Sequence, residues 1–132
     1  MKAYRILNAR VAGVLQRFGI NPTQWFILGL IKQDKSIRAA DIADMLRVEP
    51  PLITVMSGEL RSKGWIDKNL NPKDKRSHTF VLTDSGQQMV KDVEARLRKD
   101  LAILLDGVSK AEMNAYQRVL EIIVKNGSKS KN

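Results

Sequence analysis

Between Trp25 and Ile31 every residue except Gly29 is apolar, and the segment is introduced by signals that belong to a helix start. Asn21-Pro22-Thr23-Gln24 offers an N-cap side chain, a proline at the first helical position and a glutamine placed to complete a capping box. A helix over residues 22–33 that is apolar nearly all round has no face to give to water. It must be the buried centre on which the other elements pack. At this length it falls far short of the roughly 20 apolar residues that cross a bilayer.

The flanking punctuation tells what packs there. Residues 3–18 place Leu7, Val11, Val14, Leu15 and Phe18 at helical spacing, with Gly19 as the stop. A short helix over 38–46 carries Ala40, Ile42, Ala43 and Leu46. The tight connection Arg47-Val48-Glu49 leads into Pro50-Pro51 and a helix to about Lys63, closed by Gly64. Trp65 to Leu70 and His78 to Thr83 are rich in strand formers, and Asn71 to Ser77 between them has turn composition. Thr83 is placed to cap a long helix to about Asp106, which Gly107 breaks. Ser109-Lys110-Ala111-Glu112 is a second capping box, and Met113, Tyr116, Leu120 and Ile123 stripe the last helix. The expected fold is mainly α with a small β-hairpin wing: a winged helix-turn-helix flanked by N- and C-terminal helices.

Composition narrows the function. The 132 residues make one domain, and 23 Lys and Arg against 14 Asp and Glu leave +9. A polyanion is therefore the first partner to consider, nucleic acid ahead of an anionic membrane. With no cysteine and one histidine, His78, neither a thiolate switch, a zinc site nor a His-based triad can be assembled. There is no Gly-rich phosphate loop, and Asp41 and Asp44 are better read as a solvated helix face, so no enzyme, metal or cofactor is expected. Met1 to Gly19 lacks the apolar stretch of a signal peptide, and the expected setting is cytoplasmic with no membrane partner.

From about residue 23 to residue 90 the sequence resembles the MarR family (multiple antibiotic resistance regulators). The resemblance is carried by Asp74-Lys75-Arg76-Ser77, followed after four residues by Leu82-Thr83 and then Gly86, the family's wing signature at its proper spacing. Leu46-Arg47-Val48 and Leu60 to Ile66 match the frame around its recognition helix. The resemblance implies a homodimeric transcriptional regulator, a repressor, whose first and last helices interlock across a two-fold axis. It divides the chain into a DNA-binding region over 21–83, a dimerisation region over 1–20 and 84–126, and a flexible polar tail over 127–132. The expected interface comprises Leu7, Val11, Val93, Leu97, Leu101, Leu104, Met113, Tyr116, Leu120 and Ile123, apolar surface beyond what a small winged-helix core needs. Two-fold symmetry would set the recognition helices roughly 34 Å apart on a pseudo-palindromic double-stranded DNA.

Within that frame Arg76 is the candidate for the minor groove, aimed by Asp74, while Lys73 and Lys75 are candidates for phosphates. With Ile53, Met56, Ser57 and Leu60 turned inward, Pro51, Leu52, Val55, Gly58 and Glu59 face the major groove, and Thr54 and Arg61 lie on the flank. Ser36, Arg38 and Thr23 are further phosphate candidates, Ser36 equally well a plain helix cap. Leu52 and Val55 stand where polar groups are usual. Either they touch thymine methyl groups in an A·T-rich site, or this winged helix is a protein–protein adaptor or antirepressor that binds DNA weakly. A small aromatic acid effector would use Phe18, Trp25 and Met45, with Arg5 or Arg10 for its carboxylate; the same side chains equally suit an ordinary core.

Overall fold

The computed structural model describes residues 1–71 and 74–129, with the backbone alone at 70, 71 and 74–78. Its elements are α1 (Lys2–Arg17), α2 (Pro22–Gln33), α3 (Ala39–Leu46), α4 (Pro50–Ser62), β1 (Ile66–Asn71), β2 (Asp74–Leu82), α5 (Asp84–Leu104) and α6 (Lys110–Lys129). Two compact units result, one over Met1–Leu101 and one beginning at Ala102. Among the described residues no helix is long and apolar enough to cross a membrane.

Three helices in the first unit end by the same device. Ile20 N–H donates to Leu15 O while Gly19 N–H donates to Gln16 O, and Trp65 and Gly64 repeat the pattern onto Leu60 and Arg61. Both glycines are left-handed, as this terminus requires. After α3 the same pair of bonds runs from Val48 to Ala43 and from Arg47 to Asp44, with Arg47 itself in the left-handed position. Each stop satisfies carbonyls that would otherwise be orphaned, and each turns the chain back onto the core.

The core of the first unit gathers Leu15, Ile27, Leu28, Ile31, Ile42, Ile53, Leu60, Ile66, Phe80 and Val93. α2 starts as its sequence demands: Gln24 N–H donates to Asn21 Oδ1 at 2.8 Å and Asn21 N–H to Gln24 Oε1 at 3.1 Å. It is less buried than its composition suggests. Gln24, Ile27, Leu28 and Ile31 form the inward stripe, while Phe26 is 58% exposed. One stripe is all that a core of this size takes from a single helix.

β1 and β2 pair antiparallel from Ile66↔Leu82 to Leu70↔His78, and the register then shifts to Asn71↔Asp74. The strand therefore starts at Asp74, where turn composition predicts a loop through Ser77. Arg38 makes an isolated antiparallel bridge to Thr79, which ties the start of α3 to the wing. Thr83 N–H donates to Trp65 O, the Thr83 hydroxyl donates to Gly64 O at 2.5 Å, and Thr83 Oγ1 accepts from Gly86 N–H at 3.0 Å. One threonine thus closes the hairpin and caps α5.

Two expectations about the flanking helices need correction. Val93 is fully buried in the chain's own core, and Val11 and Leu97 pack against that core, so Val93 has no surface for a partner. The N-terminal half of α5 supplies Met89, Val90 and Val93 to the winged-helix interior, which consumes that part of the stripe. By contrast Leu7, Met113, Tyr116, Leu120 and Ile123 are exposed, and Leu101 and Leu104 are half-buried. α6 begins at the predicted box, with Ser109 and Glu112 exchanging backbone-to-side-chain bonds, but runs to Lys129 rather than ending near 126. Nothing in 127–129 breaks it except Gly127, whose cost in a helix is only about 1 kcal/mol.

Gly86 decides whether this junction closes. A β-carbon there would stand 2.8 Å from the Trp65 carbonyl carbon and closer still to its oxygen, against backbone that cannot yield. Gly86→Ala is expected to destabilise the chain by about 2 kcal/mol or more, as overpacking against rigid structure does. Urea unfolding monitored through Trp25 and Trp65 reads it, and an unchanged midpoint would show that Trp65 is not held against α5.

Candidate nucleic-acid interface

α3, the Arg47 turn and α4 form the helix-turn-helix, and α4 presents its outer face through a stripe fixed from beneath. Ile53, Ser57 and Leu60 are buried, and Met56 packs at the core's edge. Ser57 spends its hydroxyl on Ile53 O at 2.6 Å, so the polar residue in this stripe carries no unmet hydrogen bond. Outward stand Pro51, Leu52, Thr54, Val55, Glu59 and Arg61, all exposed, while Gly58 is half-buried. The inward and outward sets agree with the helical spacing of the sequence.

Two polar links lock α4 to the α1–α2 turn. Gln24, only 3% exposed, donates from Nε2 to Glu59 Oε2 at 2.7 Å while its Oε1 holds the α2 cap. The Lys63 ammonium donates to Gly19 O and lies 5.0 Å from the centre of the Trp65 ring. Glu59 is therefore engaged by a neighbouring amide, a bond that a reading of α4 alone does not reveal. The signal was present in Gln24, a polar residue inside an otherwise apolar stripe.

At the start of α3 the sequence candidates are placed differently from expectation. Ser36 does not cap the helix: its hydroxyl donates to Asp34 Oδ1 at 2.6 Å and its N–H to the same oxygen at 2.9 Å, making a separate turn. The N-cap position belongs to Arg38, whose N–H donates to Asp41 Oδ2 at 3.0 Å and whose guanidinium pairs with that carboxylate at 3.3 Å. The side-chain hydroxyl of Ser36, and then its backbone N–H, hold the Asp34 carboxyl below its ordinary range; the Arg38 backbone N–H, then its side chain, do so for Asp41. These depressed carboxylates lend their support above the ordinary carboxylate pKa and lose it as pH falls through the lowered value. The start of α3 is intact at neutral pH.

Lys73 lies outside the described residues, as do the side chains of Asp74, Lys75 and Arg76; the backbone sets the last three at the start of β2. Of the residues expected to line an effector pocket, only Trp25 borders either of two clefts in the first unit. One cleft, about 250 Å³, is walled by Trp25, Phe26, Leu30, Leu46 and Glu94. The other, about 380 Å³, lies among Ile31, Val81, Leu82 and Val90 with Lys32, Lys35 and Lys91 at its rim. Phe18 belongs to the core's edge, and Met45 and Arg5 are exposed. Arg10, half-buried, borders neither cleft. Among the described residues no group of three His, Asp or Glu is arranged to hold a metal ion.

Arg47 is the residue that the sequence did not single out. Its exposed guanidinium stands at the turn entering α4, on backbone at φ 54°, ψ 47° where an L side chain is strained by roughly 1–2 kcal/mol. Glycine is usual at such a helix stop, so the arginine is held there at a cost. Arg47→Gly is expected to raise stability by about 0.5–1 kcal/mol while weakening binding to duplex DNA several-fold. Unchanged DNA affinity in a stabilised variant would reduce Arg47 to a structural accident.

Comparison with known proteins agrees with this architecture. Residues 20–78 match the model of the MarR family. The chain is 30% identical over 99 residues to the HTH-type transcriptional repressor MdtR of Bacillus subtilis, a match covering 75% of this chain and 64% of that protein. A further match, 22% identical and covering 91% and 87%, is the uncharacterized HTH-type transcriptional regulator YwoH of the same organism. Among solved structures, a MarR transcriptional regulator from Methanosarcina mazei superposes with a TM-score of 0.80 at 21% identity over 96% of this chain and 91% of that one. A mutant MarR from E. coli complexed with operator DNA gives 0.70 at 21% over 91% and 86%.

Proposed function

We propose that this chain, whose residues 20–78 match the model of the MarR family, is a homodimeric DNA-binding transcriptional regulator acting as a repressor on a pseudo-palindromic operator. In this reading α4 enters the major groove with Pro51, Leu52, Thr54 and Val55 foremost. Arg76, aimed by Asp74, enters the minor groove from the wing. Lys73, Lys75, Arg38, Arg47 and Arg61 meet phosphates, and Ser36 lies beside them.

The observation that carries the reading is the helix-turn-helix itself: a strained, arginine-bearing turn feeding a helix whose outer face is exposed and whose C-terminal end is tied down by the Glu59–Gln24 and Lys63–Gly19 bonds. The +9 charge supplies the long-range attraction to a phosphate backbone. Support for a dimer comes from α6, which has no buried residue although Met113, Tyr116, Leu120 and Ile123 stripe it. An apolar face of that extent calls for a partner, and Leu7 of α1 is likewise exposed apolar surface. The 21–83 segment is then the DNA-binding region, with 1–20 and 84–126 given to dimerisation. A small aromatic acid effector would take the 380 Å³ cleft, its ring against Val81, Leu82 and Val90 and its carboxylate toward Lys35 and Lys91.

Fluorescence anisotropy on duplex DNA from upstream of the coding region, with random duplex as competitor, tests the reading. Binding should resist the competitor and weaken steeply between low and moderate salt, because each phosphate neutralised releases counterions. Arg76→Ala should cost about 1–3 kcal/mol. Salt-indifferent binding no tighter than to the competitor would contradict the assignment.

A further inference from the structure

We infer that α4 reads thymine methyl groups through Leu52 and Val55, so that the operator half-site is chosen by apolar fit rather than by hydrogen bonding at the helix start. The inference rests on the DNA-binding reading and deepens it. Leu52 and Val55 are 40% and 57% exposed and lie three residues apart, one turn along the same face. The polar groups near them each make a bond within the chain. The Thr54 hydroxyl turns back to Pro50 O at 3.4 Å, Ser57 is buried and bonded to Ile53 O, and Glu59 receives the Gln24 amide.

The first turns of a recognition helix are those that meet base edges. Here they carry two exposed branched aliphatic side chains and two prolines. In the major groove the feature that such side chains can recognise is the 5-methyl group of thymine, since every other distinguishing mark is a donor or an acceptor. The occupant is DNA rather than an apolar protein surface on grounds of charge. The chain carries +9, and Arg47, in the turn before α4, and Arg61, in the last turn of α4, are both exposed. Those cations suit a phosphate backbone, while the Leu52–Val55 strip is itself apolar and uncharged. Burying one methyl-sized group there is worth about 0.8 kcal/mol, about a fourfold change in affinity.

The experiment removes the methyl group and nothing else. Duplexes are enriched from a random-sequence library on the full-length chain, and each winner is then re-amplified with dUTP in place of dTTP. The uracil form should bind about fourfold more weakly where one contact is lost and about fifteenfold where each of two recognition helices loses one. The L52A/V55A variant, altered only at exposed positions, should bind both forms alike, with its urea midpoint confirming that it is folded. Equal affinity of wild type for both forms, or discrimination that survives in the variant, overturns the inference while leaving the DNA-binding reading intact. Failure of the library to enrich at all overturns that reading too, and is the outcome expected if this face seats a protein.

Discussion

The contact between the Trp65 carbonyl and the flank of α5 at Gly86 is the constraint on which the rest of the first unit depends. Trp65 ends the stop that closes α4, opens the wing, and accepts the Thr83 N–H from the wing's return strand. Thr83 then caps α5 while its hydroxyl holds Gly64. The end of the recognition helix, both strands of the hairpin and the start of the long helix thus meet within a few residues. Any side chain at Gly86 pries them apart. This is the physical content of the Leu82-Thr83-x-x-Gly86 signature: a threonine for three bonds and a glycine for one close approach.

From that junction the presentation of α4 follows. Its C-terminal end is fixed by the wing, and the Glu59–Gln24 and Lys63–Gly19 bonds tie the same helix to the α1–α2 turn. Its N-terminal end is fixed by the Arg47 turn and by α3, which the Arg38–Thr79 bridge joins back to β2. A helix held at both ends offers its outer face without the ordering cost that a mobile segment pays on binding. The strain that Arg47 stores is small beside what the three helix stops and the shared core supply.

How much of this was legible in the sequence depended on how local the cause was. The α2 and α6 caps, the Gly19 and Gly64 stops, the inward set of α4 and the order of elements all follow from residues within a turn of each other, and all are present. Most of what the sequence hid was non-local, the Ser36–Asp34 turn being a local exception. Val93 shares a periodic stripe with Leu101 and Leu104, and nothing in that periodicity tells which part of the helix the core claims. Ser36 precedes a helix, yet Asp34, two residues back, takes its hydroxyl and leaves Arg38 to start α3. Composition places a turn over Asn71 to Ser77, but strand pairing resumes at Asp74. Gln24 looked like a cap residue and is also a tether to a helix 35 positions away.

The binding candidates divide in the same way. Exposure on α4 could be read from spacing, whereas the 380 Å³ cleft could not, because its walls come from α2, β2 and α5 together. In the proposed function two copies of one helix-turn-helix address one duplex across a two-fold axis. Hydroxyl-radical footprinting of both strands on an enriched duplex measures this directly. Two protected stretches symmetric about the site's centre are expected, their midpoints about 10 base pairs apart, flanked by protection where the wings lie. A single protected stretch without a symmetric counterpart would contradict it.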